Sequence, residues 1–357
     1  MHVTELRRAR LRHHRLTAPA ATAVDAARHL AATQSQDLWG GRLALASRTR
    51  DTGVSAVDRA FDSGALVRAW TQRGTLHTVV AEDLGWMLAV TGARMLRGDA
   101  KRMADLGLDG SDVARAETLA VRALSGGGRL TRAELLAVWE ADGLSTAGQR
   151  GYHLIAALAI RGLLVWGPVV RRENLEPREQ HLVLADEWIQ DHATHADPAA
   201  ELFVRYITGH GPATVRDFAW WAGLPLGASR AAAAGAVHRL RVVDEGPEPR
   251  YAAAAPPRAR SSAPATLALP TFEEYCISYA DRSLTGSPAA HAAVGPGRNG
   301  MVRPIIVHEG EIVGVWRPPA MSARAAGEAA VTVFDDAPLD HEEATSAVDR
   351  ALTILRS

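Results

Sequence analysis

A helix-initiation pattern that occurs twice constrains the fold of this chain more than any other feature. Thr131 is followed three residues later by Glu134, and Thr214 is followed three residues later by Asp217. A threonine and an acidic residue at this spacing form a capping box, in which each side chain accepts a hydrogen bond from the backbone amide of the other residue. Each pattern therefore predicts the start of a helix, and the repetition favours one module used more than once.

The residues after each capping box predict a second helix and then strands. After Thr131, apolar residues at helical spacing predict a helix that ends near Gly143, a second helix over GQRGYHLIAALAIRG and a strand over residues 163–166. Helix, turn, helix and strand pair are the order of a winged helix, whose second helix commonly lies in the DNA major groove.

The second copy follows the same order. Its first helix should end over residues 219–223, and its second helix should span 229–240. Strands over 241–245 and 250–253 flank a Gly-Pro turn and predict the wing.

A third unit is predicted before these two. Helices over residues 24–33, 43–47 and 54–62 precede a hairpin, in which the runs LVRAWT and TLHTVV flank the turn Gln72-Arg73-Gly74. Strand alternation puts Thr75 and His77 on one face of this hairpin.

Beyond the third unit, the composition changes. The segment AAAAPPRARSSAPA is typical of a linker, and short β-branched runs separated by glycine turns then predict a small β-barrel or sheet domain with a closing helix. We therefore expect an α+β fold of three tandem winged-helix units around a concave cleft, followed by a small C-terminal β-barrel. The expected boundaries are 1–112, 113–195, 196–265 and 266–357.

Composition excludes several classes of protein. The chain has 357 residues and is 47% hydrophobic, which suits a globular protein of several domains. It contains no apolar run long enough for a spanning helix or a signal core, and its one cysteine, Cys276, cannot form an internal disulfide. The net charge of zero argues against a uniformly basic architectural DNA binder. We expect a cytoplasmic protein.

Several segments resemble the AlkZ-like winged-helix DNA glycosylases. They are LAATQSQDLWGGRLALASRTR, LVRAWTQRGTLHTVVAEDLGWML, GPATVRDFAWWAGLPL, LPTFEEYCISYADR and RPIIVHEGEIVGVWRP, and together they extend over essentially the whole chain. The resemblance implies a DNA glycosylase that acts on alkylated purines in double-stranded DNA, with bulky adducts, interstrand crosslinks and self-resistance as further expectations. It implies no cofactor and no required protein partner, and we expect a monomer.

The same resemblance implies the site residues. The family's catalytic motif has two glutamines, or a glutamine and an aspartate, around an apolar or small residue, and it falls on Gln34-Ser35-Gln36, where Ser35 departs from the usual apolar residue. The family's Arg-Gly-Thr-x-His stretch falls on Arg73, Gly74, Thr75 and His77. The residues expected to contact DNA are Arg68, Arg73, Thr75 and His77.

Base excision requires water to attack the sugar C1′ while the bond to the base breaks through an oxocarbenium-like state. Two carboxamides can orient that water and direct their dipoles at the developing cation. Residues two apart lie about 200° apart around a helix axis, so Gln34 and Gln36 can share one water only where the backbone is not helical. The alternative is that Gln34 or Asp37 merely caps a neighbouring helix.

Two of these residues have open alternatives. Asp37 is a possible catalytic group, since a carboxylate could act as a general base, or it could cap the helix that begins at Leu38. His77 could contact phosphate or form a hydrogen bond with Thr75 within the strand face, or it could be an interior histidine. The pairs His13-His14 and His192-x-x-His195 lack a second ligand cluster, so we expect no metal site.

Two other functions fit the same fold. A transcription regulator would use the second helix of each unit to read one sequence, without releasing any base. A sensor of small molecules would keep the winged-helix fold and bind DNA weakly or not at all.

Overall fold

The computed structural model describes residues 2–50, 53–173, 177–260, 263–297, 300–319, 329–335 and 337–357 of a mixed α+β fold. The first part contains α1 (Val3–His13), α2 (Ala23–Leu30), β1 (Thr33–Gln34), α3 (Leu38–Ala46), α4 (Val54–Asp62), β2 (Leu66–Gln72), β3 (Thr75–Val80) and α5 (Leu84–Asp105). The second part contains α6 (Gly110–Leu124), α7 (Arg132–Ala141), α8 (Arg150–Ile160), β4 (Leu164–Val169), β5 (Gln180–Leu184) and α9 (Ala185–Trp188).

The second half of the chain continues with helices and two further sheets. Its first elements are α10 (Pro198–His210), α11 (Val215–Ala222), α12 (Leu226–Ala236), β6 (Leu240–Asp244) and β7 (Arg250–Ala253). The last elements are β8 (Thr266–Leu269), α13 (Glu274–Ile277), α14 (Pro288–Val294), β9 (Ile305–His308), β10 (Glu311–Arg317), β11 (Ala330–Val333) and α15 (His341–Leu355). Of the predicted linker, Ser261 and Ser262 lie outside the described residues.

Both predicted capping boxes are confirmed. Thr131 Oγ1 accepts from the amide of Glu134 at 3.3 Å, and Glu134 Oε2 accepts from the amide of Thr131 at 2.7 Å. The corresponding distances between Thr214 and Asp217 are 3.1 Å and 3.0 Å. Each box satisfies two amides that a helix N-terminus leaves without partners. As predicted, a second helix and a strand pair follow in both cases.

Two predicted helices begin at other residues. The helix predicted over 229–240 is α12, which begins at Leu226 and ends at Ala236, because Pro225 at its N-cap position suits a helix start and a 3₁₀ turn follows it. The helix predicted over 43–47 is α3, which begins at Leu38 and includes Gly40 and Gly41. A Cβ at Gly41 would lie 2.1 Å from Ser35 Oγ, so close packing accounts for a glycine inside this helix.

One antiparallel sheet, in the order β1-β3-β2-β4-β5, joins the first two predicted units. Arg68 of β2 pairs with Trp166 of β4 at the junction. Strand alternation puts Arg68, Trp70 and Trp166 on the face that α8 covers. The opposite face carries Val67 and Ala69 and packs on the core that contains α10. The sheet is therefore covered on both faces, and β1 lies at its edge.

The C-terminal strands form an open sheet rather than the β-barrel that the sequence predicted. Their order is β11-β10-β9-β8, and every neighbouring pair is antiparallel. Ala347 and Ala351 of α15 share a core with Ile306 and Trp316 from one face of this sheet. Four strands are too few to close around side chains, since small barrels need about eight, and a helix covers the sheet instead.

The longest helix, α5, has 22 residues, but charged side chains interrupt its second half. These residues are Arg94, Arg97, Asp99, Lys101, Arg102 and Asp105. Across the described ranges, no helix is at once long enough and apolar enough to cross a bilayer.

Candidate active site

The segment that carries the two glutamines is not helical. Gln34 ends the short strand β1 and pairs with His77 of β3. The amide of Ser35 donates to the carbonyl oxygen of Leu76 at 2.7 Å, and α3 does not begin until Leu38. The predicted interruption of helical structure is confirmed, so helix geometry does not force the two side chains apart.

Gln34 is nearly buried, with 7% of its surface exposed, but its surroundings are polar. Its side-chain oxygen accepts a hydrogen bond from Arg73 Nη2 at 3.0 Å. Its backbone amide donates to Glu274 Oε1 at 2.7 Å. An arginine and a glutamate therefore hold this residue from two sides.

Gln36 lies where the strand pairing stops. Its side-chain oxygen accepts from the backbone amide of Leu76 at 3.3 Å. The half-buried side chain lines a pocket of about 310 Å³. Other residues that line this pocket are Arg68, Trp70, Tyr152, Trp166 and Gln180. Both carboxamides are thus bound to the β2–β3 hairpin, and Gln36 faces an open volume.

Arg73 lines a second pocket, of about 500 Å³, near the end of the hairpin. Trp70 and Tyr152 line both pockets, so the two volumes adjoin around the hairpin. One adjoins the Arg73–Gln34 contact and the other adjoins Gln36. Each pocket is concave and combines apolar walls with a few polar groups, and small-molecule and substrate sites commonly have this form.

Asp37 occupies the N-cap position of α3, but its carboxylate makes no capping hydrogen bond. Burial raises the pKa of Asp37, and the positive charge of Arg68 opposes that rise. Asp37 thus occupies the position of a helix cap, as one alternative expected. Because its carboxylate does not bind the helix amides, it is available to accept a proton.

Arg68 is 9% exposed and donates from Nη1 to Gln180 Oε1 at 3.0 Å. Burial lowers the pKa of Arg68 to about 10, and the charge of Asp37 acts in the opposite direction. The guanidinium is therefore still charged at neutral pH, and it lies beside the pocket that Gln36 lines.

His77 is fully buried, and Thr75 is half-buried near the hairpin turn. His77 Nδ1 lies 3.0 Å from the carbonyl oxygen of Thr75. Burial, reinforced by the charge of Arg73, lowers the pKa of His77 to about 3, so the imidazole is neutral at neutral pH. Among the alternatives for His77, this placement matches an interior histidine that contacts Thr75.

Glu274 contacts the motif, although sequence reasoning gave it no role. The fully buried carboxylate accepts from the amide of Gln34, from Trp221 Nε1 at 3.2 Å and from Ser278 Oγ, and it lies 3.5 Å from His210 Nε2. Burial would raise the pKa of Glu274, but its interaction with His210 and the positive charge of Arg73 lower it to about 2. A buried anion thus anchors the first glutamine.

The signal for this residue was present in the run LPTFEEYCISY. Two acidic residues inside an apolar segment must be paired if they are buried. Glu273 indeed forms a buried ion pair with Arg48, and Glu274 binds Gln34. The sequence could have indicated that both are paired, but not with which partners.

We expect Glu274→Ala to lower the free energy of unfolding by about 3–5 kcal/mol, because removing one partner of a buried charged network leaves the other polar groups unpaired. Urea denaturation at pH 7.5 measures the change. The control is Glu117→Gln, which alters an exposed ion pair with Arg161 and should leave the midpoint unchanged. Equal midpoints for both variants would contradict a structural role for Glu274.

Among the described residues, no group of three His, Cys, Asp or Glu side chains could hold a metal ion. The polar groups that line the two pockets include the carboxamides of Gln36 and Gln180, the carboxylates of Asp99 and Glu179, and several arginines. Such groups can orient a water molecule, accept its proton and stabilise charge.

Comparisons with known proteins identify the family and the fold. A family model described as "DNA glycosylase AlkZ-like" matches residues 27–356. Among solved structures, Streptomyces sahachiroi DNA glycosylase AlkZ matches with a TM-score of 0.72 and 21% identity, over 99% of this chain and 95% of that chain. That likeness shows a common fold, and no curated protein sequence matches. Since the family model covers nearly the whole chain, including the two glutamines, this protein belongs to the AlkZ-like family of DNA glycosylases.

Proposed function

We propose that this protein is a monofunctional DNA glycosylase that hydrolyses the N-glycosidic bond of alkylated purines in double-stranded DNA. Family membership supports the glycosylase activity. The observation that carries the proposal is the pair of motif glutamines bound to one hairpin, with Gln36 lining an open pocket.

The preferred substrates are N7-alkylguanine and N3-alkyladenine, which carry a positive charge on the base. When the C1′–N bond breaks, its electron pair neutralises the base, which departs without first being protonated. The oxygen of a water molecule bonds to C1′, and a proton is released. Such a reaction needs an oriented water and stabilisation of the oxocarbenium-like state more than a strong acid.

The two glutamines have separate parts in this proposal. The Gln36 oxygen accepts one hydrogen bond, from Leu76, and its second lone pair is available for a proton of the attacking water. Arg73 fixes the Gln34 carboxamide, whose dipole is proposed to face the developing cation. Asp37 is the rival group for accepting the proton, because its carboxylate makes no capping bond.

We further propose that the three sets of helices and hairpins are winged-helix units that hold the DNA. The sets are α2–α4 with β2 and β3, α7–α8 with β4 and β5, and α11–α12 with β6 and β7. Arg68, Arg73 and Thr75 are the proposed DNA contacts, and His77 would act through Thr75, whose carbonyl group it binds. We propose in addition that the protein acts as a monomer. Its substrates would include bulky adducts or interstrand crosslinks, and its biological role would be self-resistance.

A duplex with a single N7-methylguanine tests the function. We expect free 7-methylguanine and an alkali-labile abasic site, formed faster than in a reaction without protein. The absence of base release from both N7-methylguanine and N3-methyladenine would refute the proposal. Strong preference among undamaged sequences would then favour a transcription regulator, and DNA affinity that is absent or independent of salt would favour a sensor.

A further inference from the structure

The pocket that Gln36 lines has the size of a site for one base. Its volume is about 310 Å³, at the lower end of the roughly 300–1,000 Å³ that ligand pockets occupy. A purine with a small alkyl group fits such a volume, whereas a base pair does not. Of the residues that line this pocket, the proposed hydrolysis gives a part only to Gln36. The molecule that fills the rest of the pocket is therefore still to be identified.

Aromatic side chains form much of its wall. Trp70 lies 5.0 Å from Trp166 and 5.5 Å from Tyr152, measured between ring centroids. The two tryptophans are almost fully buried, whereas Tyr152 on α8 is only half-buried. A rigid aromatic wall with one accessible ring suits a flat aromatic ligand.

The polar side of the pocket has a donor without a partner. Arg68 uses Nη1 to bind Gln180, but its buried Nε has no hydrogen-bond partner among the residues that the structure describes. Gln180 cannot easily turn to serve it, because its own amide nitrogen donates to the carbonyl oxygen of Gly167 at 2.7 Å. A buried unpaired donor costs free energy, and this cost is recovered when a ligand supplies an acceptor.

Two further arginines lie at the pocket mouth. Arg132 and Arg178 line the pocket and are exposed. Neither forms a salt bridge with any residue in the described part of the chain. Exposed cations beside such an opening suit the phosphates that flank a displaced nucleotide. Glu179 also lines the pocket, but its carboxylate is paired with Arg172. The pocket therefore combines a flat apolar wall, an internal donor and a mouth with two unpaired arginines.

From this combination we propose that the pocket receives the alkylated guanine itself, displaced from the helix, with its ring against Tyr152 and its O6 accepting a hydrogen bond from Arg68. The inference rests on the proposed glycosylase function and specifies which base that site prefers. Enzymes that act on a base in a duplex commonly displace it in this way.

The donor predicts guanine rather than adenine. Arginine only donates hydrogen bonds, and guanine has an acceptor, O6, where adenine has an amino group. An adenine in the same position would place its amino group, a donor, against the Arg68 donor and would lose the hydrogen bond that O6 makes. Sites built around such a hydrogen bond discriminate strongly against analogues that lack it.

The charge of Arg68 also favours bond cleavage over simple binding. A positive guanidinium repels a positively charged alkylguanine, and this repulsion falls as the departing base becomes neutral. Asp37 lies close enough for its charge to act on Arg68 and moderates the repulsion in the bound state. An interaction that improves as the reaction proceeds raises the rate.

Bulk-methylated DNA carries both lesions and allows a direct comparison of base release. We expect Arg68→Gln to lower the single-turnover release of 7-methylguanine at least tenfold more than that of 3-methyladenine. Tyr152→Ala should slow both reactions, and Tyr152→Phe should restore them, because only the ring is needed. Arg132→Gln is the matched control for a lost arginine, and it should slow both reactions by the same factor.

Free base gives a second readout that does not depend on catalysis. Titration with 7-methylguanine should quench tryptophan fluorescence in the wild type, and the quenching should be weaker in Arg68→Gln and Tyr152→Ala. Titration with adenine should cause little quenching. Thermal melts establish that each variant is folded. Equal losses for the two lesions in Arg68→Gln, or no binding of free 7-methylguanine, would overturn the inference. A wild type that binds the free base but releases none from DNA would instead refute the proposed function.

Discussion

Replacing Gln36 by alanine is expected to lower the single-turnover rate of 7-methylguanine release by roughly 10²- to 10³-fold, the usual cost of losing one group that stabilises a transition state. Gln36 lines the pocket, and Leu76 binds only one lone pair of its oxygen, so we expect it to contact the water directly. Gln34→Ala should have a similar effect, because it also leaves Arg73 without its partner. The double variant should be little slower than the slower single variant, since groups that act as a unit are not additive.

Two controls define this prediction. Gln190→Ala removes an exposed glutamine outside the motif and should leave the rate unchanged. Asp37→Asn keeps the shape of the rival carboxylate but removes its charge. A Gln34/Gln36 double variant with the wild-type rate would remove the glutamines from the mechanism. A much larger loss in Asp37→Asn than in Gln36→Ala would assign the proton to Asp37.

Local patterns predicted much of the fold. The capping boxes at Thr131 and Thr214 and the turn at Arg73-Gly74 depend on residues a few positions apart, and the structure has the helices and the hairpin that they predict. Arg73 itself adopts φ 54°, a conformation that tight turns require. Such features are readable because the interaction partners are neighbours in the chain.

Long-range packing accounts for the fold errors. The glycines of LWGG lower helix propensity, yet both lie inside α3, where a Cβ at Gly40 would lie 2.7 Å from the side chain of the distant Thr271. The C-terminal strands alternate as in a barrel, but the strand pattern does not reveal that α15 would cover the sheet. Propensity is a weak guide where tertiary contacts decide the outcome.

In the candidate site, too, features that depend on neighbouring residues were predicted and features that depend on distant residues were not. The resemblance gave Gln34 and Gln36, and the helix geometry gave the non-helical backbone between them. Glu274 lies 240 residues from Gln34 in the chain, and Gln180 lies 112 residues from Arg68. No local pattern joins residues so far apart, so the buried anion and the pocket wall required the structure.

Stability should fall steeply below pH 6.5, because three histidines are buried without charge. His13, His14 and His77 are each at most 1% exposed. Burial is the largest cause of their lowered pKa values, which are about 4 for His13, about 3 for His77 and well below the ordinary value for His14. In the described part of the chain, His14 Nδ1 and His77 Nε2 also have no hydrogen-bond partner, so a proton added there would lack an acceptor.

The direction of the effect follows from linkage. Below pH 6.5 the unfolded chain takes up protons on these histidines, whereas the folded protein does not until pH falls to about 4 or lower. Each group then costs about 1.4 kcal/mol per pH unit, so the three together cost about 4 kcal/mol per unit. His29, whose pKa burial also lowers to about 3, adds about 1.4 kcal/mol per unit. Domains are typically stable by 5–15 kcal/mol, and we therefore expect acid unfolding between about pH 5 and pH 3.

Urea denaturation at several pH values between 7.5 and 5 measures this slope. His13→Gln, whose amide can still donate to the carbonyl oxygen of Thr208, should reduce the slope by about 1.4 kcal/mol per pH unit, because one proton-linked group is gone. The exposed His238 provides the matched control, and His238→Gln should leave the slope unchanged. A wild-type unfolding free energy that is constant from pH 7.5 to pH 5 would mean that these histidines accept protons in the folded protein, and it would contradict their burial as neutral groups.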